Sequence, residues 1–230
     1  MISTYLLINI LIIIIPLLLT FEKKIKFYKK LPALAVSIII VGGTFILWDI
    51  IATYRGDWDF NPQYLVGIEI FNLPIEEILF FITVPYSAIF LYETGKIYLK
   101  NITFHANKTI VLAIALILIV IGLMFNEQYY SLTVLFFSGL FLIVSSIFNS
   151  KIQVLNSSLY WSWILFMYLP FFIVNYFLTS LPIVTYSPAA IWGIRITTIP
   201  FEDFFYSFSM LSFYLYVYMI VKEKWLKENE

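Results

Sequence analysis

Apolar runs dominate the chain, and polar residues come mainly as punctuation between them. A hydrocarbon core of about 30 Å calls for about 20 apolar residues per helix. Seven stretches are of that kind, roughly 2–20, 31–54, 74–95, 109–125, 129–148, 159–179 and 200–221. The first has no basic leader and no small-residue cleavage site before Lys23, so it reads as a retained helix rather than a signal peptide. The pattern predicts an all-α integral membrane protein with about seven transmembrane helices.

Composition agrees. Apolar residues make up 62% of the 230 residues, charged residues only 12%, and the mean hydropathy is +0.93, against about 45–50% and about 25% in an average globular protein. Fourteen cationic and fourteen acidic side chains leave no excess charge to recommend a nucleic-acid partner. With no Cys and a single His105, thiolate sites, disulfides and His-rich metal sites are excluded, and no metal is expected. Aromatic residues reach 20%, more than interfacial belts use.

The cations set an orientation. With seven spans, all twelve lysines, including Lys151 and Lys227, fall on one side, whereas Arg55 and Arg195 fall on the other. Because short cytoplasmic loops collect Lys and Arg, the expectation is a multi-pass plasma-membrane protein with its N-terminus outside and its C-terminus cytoplasmic. Loops 55–73 and 180–199 then lie outside.

An internal repeat organises the rest. Shifting the chain by 126 residues lays Pro62, Gly67, Ile68, Ile70, Pro74 and Glu76 onto Pro188, Gly193, Ile194, Ile196, Pro200 and Glu202, six identities in fifteen positions. The same shift pairs Glu77 with Asp203 and Asp49 with Asn175. Spans one to three map onto five to seven, and the unpaired fourth makes the halves parallel. The expected organisation is a first three-helix repeat over 1–100, a connector with the fourth helix over 101–128, and a second three-helix repeat over 129–230.

Charges inside membrane spans are costly and are functional candidates by default. Asp49 lies within the second span, and Glu76, Glu77, Glu202 and Asp203 open the third and seventh, each pair two residues after a proline. Proline followed by acids also makes a sound helix start. The recurrence of Pro-x-Glu-acid beside an aromatic run in both halves tips the reading toward function. Adjacent helical residues point about 100° apart, so only one acid of each pair can face a common interior. Glu76 and Glu202, the identical pair, are the first choice, with Glu77 and Asp203 as orienting or interfacial groups. Phe80, Phe81 and Tyr86 follow one pair, and Phe204, Phe205, Tyr206 and Phe208 the other. Acids beside electron-rich rings suit protonation of an apolar substrate and stabilisation of a carbocation.

Leu73-Pro74-Ile75-Glu76-Glu77-Ile78-Leu79-Phe80-Phe81 and Ile199-Pro200-Phe201-Glu202-Asp203-Phe204-Phe205 resemble the Pro-x-Glu-Glu/Asp signature of the carotenoid cyclase domain family, the small membrane lycopene cyclases. Some members are two short polypeptides, and others, like this chain, have the halves fused. The resemblance includes Trp48-Asp49 and Asp57-Trp58, and departs from the pattern at Asn175 and Val184. It implies a lycopene β-cyclase, an isomerase that closes the linear ends of lycopene through a monocyclic carotene to β-carotene by acid–base chemistry. Glu76 or Glu202 is then the acid, the carboxylate it leaves or a neighbour such as Glu77, Asp203 or Asp49 the base, and Phe80, Phe81, Phe204, Phe205, Asn175 and Trp48 line the substrate.

Flavin-dependent cyclases carry a dinucleotide glycine motif that is absent here, so no cofactor is expected. The partners implied are the linear and monocyclic carotenes, the lipid bilayer and other carotenoid enzymes, and fused repeats are compatible with a functional monomer. A non-enzymatic proton-coupled transporter built from parallel repeats is the alternative reading of the same acids. Arg55, Asp57 and Asp59 read as a solvated turn anchored by an interfacial Trp58, Glu69 and Arg195 as a pair across the two loops, and His105 as a solvated residue.

Overall fold

The computed structural model describes residues 3–147 and 152–228, with side chains to 224. Lys151 and the side chain of Lys227 lie outside the described residues. Helix α1 (Thr4–Leu18) starts at Ser3, whose hydroxyl accepts from the Leu6 amide at 3.1 Å, as a serine N-cap does. The second rod begins as α2 (Leu31–Ser37), widens into a π turn over Ile38–Gly42 and continues as α3 (Gly43–Arg55). Gly56 ends it at φ 82°, a left-handed position that glycine adopts without a Cβ penalty.

The other rods are α4 (Ile75–Tyr98), α5 (Lys108–Met124), α6 (Tyr129–Ile147), α7 (Ser158–Ser180) and α8 (Glu202–Glu228). All seven predicted spans are helical. Six are long and apolar enough to cross a membrane, and α5, at 17 residues, is shorter. The chain is a membrane protein of two three-helix halves with α5 between them.

Within each half the first helix packs on the third, α1 on α4 and α6 on α8. The middle rods cross over, so that α2 packs on α8 and α7 on α4. Two small-residue contacts fix the crossings. A Cβ on Gly42 would stand 2.8 Å from the Tyr214 hydroxyl, which donates to the Phe81 carbonyl at 2.9 Å and so joins three rods. On the other flank a Cβ on Gly139 of α6 would meet the Ala115 carbonyl of α5 at 2.8 Å, the close backbone approach typical of small residues in membrane helix pairs.

Short hairpins precede the third helix of each half. Strands β2 (Glu69–Ile70) and β3 (Leu73–Pro74) pair antiparallel, as do β5 (Arg195–Ile196) and β6 (Ile199–Pro200). Phe71 and Thr197 both sit at φ 59°, and Gly67 and Gly193 at 86° and 80°, so the repeat extends to individual backbone angles. A third strand pair joins the halves. In β1 (Trp58–Phe60) against β4 (Val184–Tyr186), Asp59 lies opposite Thr185, its own counterpart at a shift of 126. A residue paired with its equivalent marks a pseudo-twofold axis.

Candidate functional site

Beside that axis lies a partly open cavity to which both halves contribute. Its acids are Asp49 from α3, Glu77 from α4 and Asp203 from α8, and Asn175 from α7 joins them. Each acid has its own donors. Trp58 Nε1 donates to Asp49 Oδ1 at 2.8 Å and the Thr53 hydroxyl reaches the same oxygen at 3.3 Å, while the buried Asp49 Oδ2 has no hydrogen-bond partner. The Tyr5 hydroxyl donates to Glu77 Oε2. Asp203 accepts on both oxygens, from Tyr130 at 2.5 Å and from Tyr186 at 3.1 Å. Burial, and after it the charge of Asp203, pushes the Tyr186 phenol well above its ordinary range, so this loop residue stays a proton donor.

Rings surround the carboxyl groups. Tyr130 stacks on Tyr186 at 5.6 Å, and Trp58 meets Tyr130 edge-on at 5.1 Å. Trp48 lies 5.5 Å from Trp58 and 5.6 Å from Tyr206, both of which line the cavity. Phe80 lines it too, 6.1 Å from Tyr5. Ring faces are partial negative surfaces on every side of the acids.

The sequence favoured Glu76 and Glu202 as the interior acids; the structure places Glu77 and Asp203 on the cavity instead. Glu76 and Glu202, both fully buried, turn toward the hairpins. Glu76 Oε1 accepts from the Ser3 hydroxyl at 2.7 Å and the Val66 amide at 2.6 Å. Glu202 Oε1 accepts from the Ser131 hydroxyl at 2.7 Å and from the Trp192 amide. A carboxylate that gathers a hydroxyl and a loop amide fixes the loop before its helix. Adjacent helical positions cannot share a face, so these anchors leave the following acids to point inward.

Of the candidate substrate residues, Phe80 and Asn175 line the cavity and Trp48 backs it. Phe81, 1% exposed, is buried in the core against α8. Phe204 and Phe205 face the opposite side of α8, on a larger, partly open apolar cavity bounded by α5, α6 and α7. Phe204 there stacks on Tyr168 at 5.8 Å.

Other readings of the sequence require correction. Trp58 is no interfacial anchor of a solvated turn: it is 8% exposed and binds Asp49. Asp57 is buried as well and paired with Arg55. Arg195 donates to the Thr198 carbonyl at 2.6 Å inside its own hairpin instead of pairing with Glu69. His105 is exposed, as expected. At the far end of the bundle Glu93, 3% exposed within α4, is held by Lys30 at 2.7 Å, Lys222 at 2.6 Å and the Tyr218 hydroxyl at 2.9 Å. That cluster was not singled out from the sequence, although an acid so far inside a span is itself a signal. Tyr5, Tyr130 and Tyr186 were also missed. Among the described residues no group of three or more His, Cys, Asp or Glu is arranged to hold a metal ion.

A family model described as lycopene cyclase matches residues 3–94 and 126–221, the two three-helix halves without the connector. No curated protein matches. No solved structure matches either.

Proposed function

The chain belongs to the lycopene cyclase family, and from that premise we propose that it closes the linear ends of lycopene into β-rings by proton transfer within the aromatic cavity. One observation carries the reading: Asp49, Glu77 and Asp203, from three rods in both halves, converge on one cavity walled by Trp58, Tyr130, Tyr186 and Tyr206.

The chemistry follows from those groups. Protonation of the terminal trisubstituted double bond gives a tertiary cation, the next double bond of the chain attacks it, and loss of a ring proton restores neutrality. One proton enters, one leaves, and the product is an isomer. Asp49 suits the donor role, because its Oδ1 is held by Trp58 and Thr53 while its buried Oδ2 is unpartnered. Asp203, both of whose oxygens accept phenol protons, suits the acceptor. Glu77, held by Tyr5, is the third carboxyl group in reach of the same substrate end. Ring faces stabilise the passing cation without offering a nucleophile, and a substrate seated against those rings displaces water that would trap it. Glu76 and Glu202 serve by fixing the hairpins that aim the acids.

The lysine distribution supports a plasma-membrane setting with the cavity in the outer half of the bilayer, because Ser3 and both hairpins share the acid-bearing end. The test of function is expression in a bacterium that accumulates lycopene as its only carotenoid. Conversion to β-ring products is expected, and unchanged lycopene beside verified membrane expression overturns the reading.

A further inference from the structure

We propose that the two halves build one composite site and not two, so that each ring is closed in a separate visit and the monocyclic product leaves the protein between them. The inference rests on the cyclase reading above and extends it to the order of events.

Symmetry makes the alternative concrete. A duplicated chain acting on a substrate with two equivalent ends invites one site per half. The structure does not divide that way. Residues equivalent at a shift of 126, Asp49 with Asn175 and Glu77 with Asp203, all face the same cavity. Asp59 opposite Thr185 places the pseudo-twofold axis between the halves at that point. The donors cross the boundary too, since Asp203 of the second half is gripped by Tyr130 and Tyr186, and Tyr130 stacks on Trp48 and meets Trp58 of the first edge-on. Because Asn175 replaces an acid, the second half presents one carboxyl group to the cavity and the first presents two. Neither half holds a complete set.

Among the described residues, two other candidate places hold no second set. The apolar cavity behind α8 is lined by no acid, its polar side chains being Ser138 and Tyr168. Glu93, at the far end, is committed to Lys30 and Lys222. The two ends of a stiff conjugated chain, comparable in length with the ~30 Å hydrocarbon core, cannot both reach acids that share one cavity. Such a rod also cannot turn end for end inside a helix bundle of the same thickness. After the first closure the product must return to the bilayer and re-enter by its other end. Each closure takes one proton from Asp49 and delivers one to Asp203, so the acids must pass a proton back before the next closure, and no co-reactant is consumed.

Two measurements decide the matter. In cells supplied with lycopene, Glu77→Gln and Asp203→Asn are each expected to lower formation of the first ring by at least ~100-fold, the lower bound for loss of a general acid or base, leaving linear carotene and no build-up of monocyclic product. If either variant, at parent protein level, accumulates monocyclic carotene at near the parent rate of first closure, each half closes one ring and the proposal is wrong. Co-expressing the two variants is expected to restore nothing, whereas recovery would place the site between chains. The second measurement needs no variant. Isotope-labelled lycopene is given to the parent protein in vesicles that also hold unlabelled monocyclic carotene. Label in the dicyclic product is expected to be diluted in proportion to the unlabelled pool, and undiluted label from the first turnovers would overturn release. Failure of the underlying cyclase reading is a different result, in which the parent chain forms no ring at all.

Discussion

The two halves agree most closely in the hairpins and loop anchors beside the cavity and differ in the side chains that face it. Hairpin angles match within a few degrees, with Phe71 and Thr197 both at φ 59°, and Glu76 and Glu202 make the same pair of contacts, a serine hydroxyl and a loop amide. At the cavity Asp49 has Asn175 as its counterpart, Glu77 has Asp203, and Trp58 has Val184. One middle rod carries a π turn at Ile38–Gly42 and the other a proline, Pro170. Duplication has preserved the framework that aims the acids and released the acids themselves to differ. A ring closure uses that difference, because one carboxyl group must be protonated to start the reaction while another must be ionised to take the ring proton that leaves.

The strongest way to break the comparison is to make the halves alike at the donor. Asp49→Asn should lower ring closure by ~10²–10⁴-fold, read as pigment per amount of protein in lycopene-accumulating cells. Adding Asn175→Asp should not restore it, since the indole that holds Asp49 is replaced by Val184 at the equivalent place. Recovery in the double variant would mean that the halves are interchangeable.

A second prediction contrasts the two ends of the bundle. Glu93→Ala leaves Lys30 and Lys222 without their shared partner, and should cost about 3 kcal/mol of stability, the lower figure for breaking a buried pair, as both lysines are 19% exposed. Denaturation in detergent reads the loss, while ring closure per folded molecule should stay at the parent rate. A specific drop in that rate would tie the far end to the chemistry.

The smallest effect is expected at the most conspicuous motif. In Glu76→Gln or Glu202→Gln the amide oxygen can still accept from Ser3 and Val66, or from Ser131 and Trp192, so each should cost only about 1 kcal/mol and reduce closure less than tenfold. Exposed Glu69→Gln supplies the baseline. A loss at Glu76 or Glu202 as large as that at Asp49 would return these residues to the centre of the chemistry.

Spans, repeat and connector were legible in the sequence because each depends on a long-range average or on an exact spacing. The facing of the acids was not. Identity between halves drew attention to Glu76 and Glu202, yet identity is what a shared loop anchor requires. The partners of the acids were hidden by phase. Ser3 and Ser131 are 128 residues apart and Tyr5 and Tyr130 are 125, so a search at 126 aligns neither pair, although each pair does the same work. Trp58 was misread because an interfacial tryptophan and one that turns inward to bind a carboxylate have the same sequence surroundings. Tyr186 reaches Asp203 only through the pairing of β1 with β4, and strands of three residues leave no periodic mark.

The crossed middle rods bear on how the chain is made. A ribosome releases the first half long before the second, and until α7 and α8 enter the bilayer, α2 lacks α8, and α4, already packed on α1, lacks α7. The early intermediate must wait in lipid with Glu77 bound only to Tyr5 and with Glu93 still without Lys222. The second half therefore completes the packing of the first, and two products of a gene cut within the connector would each lack helix contacts that the other supplies.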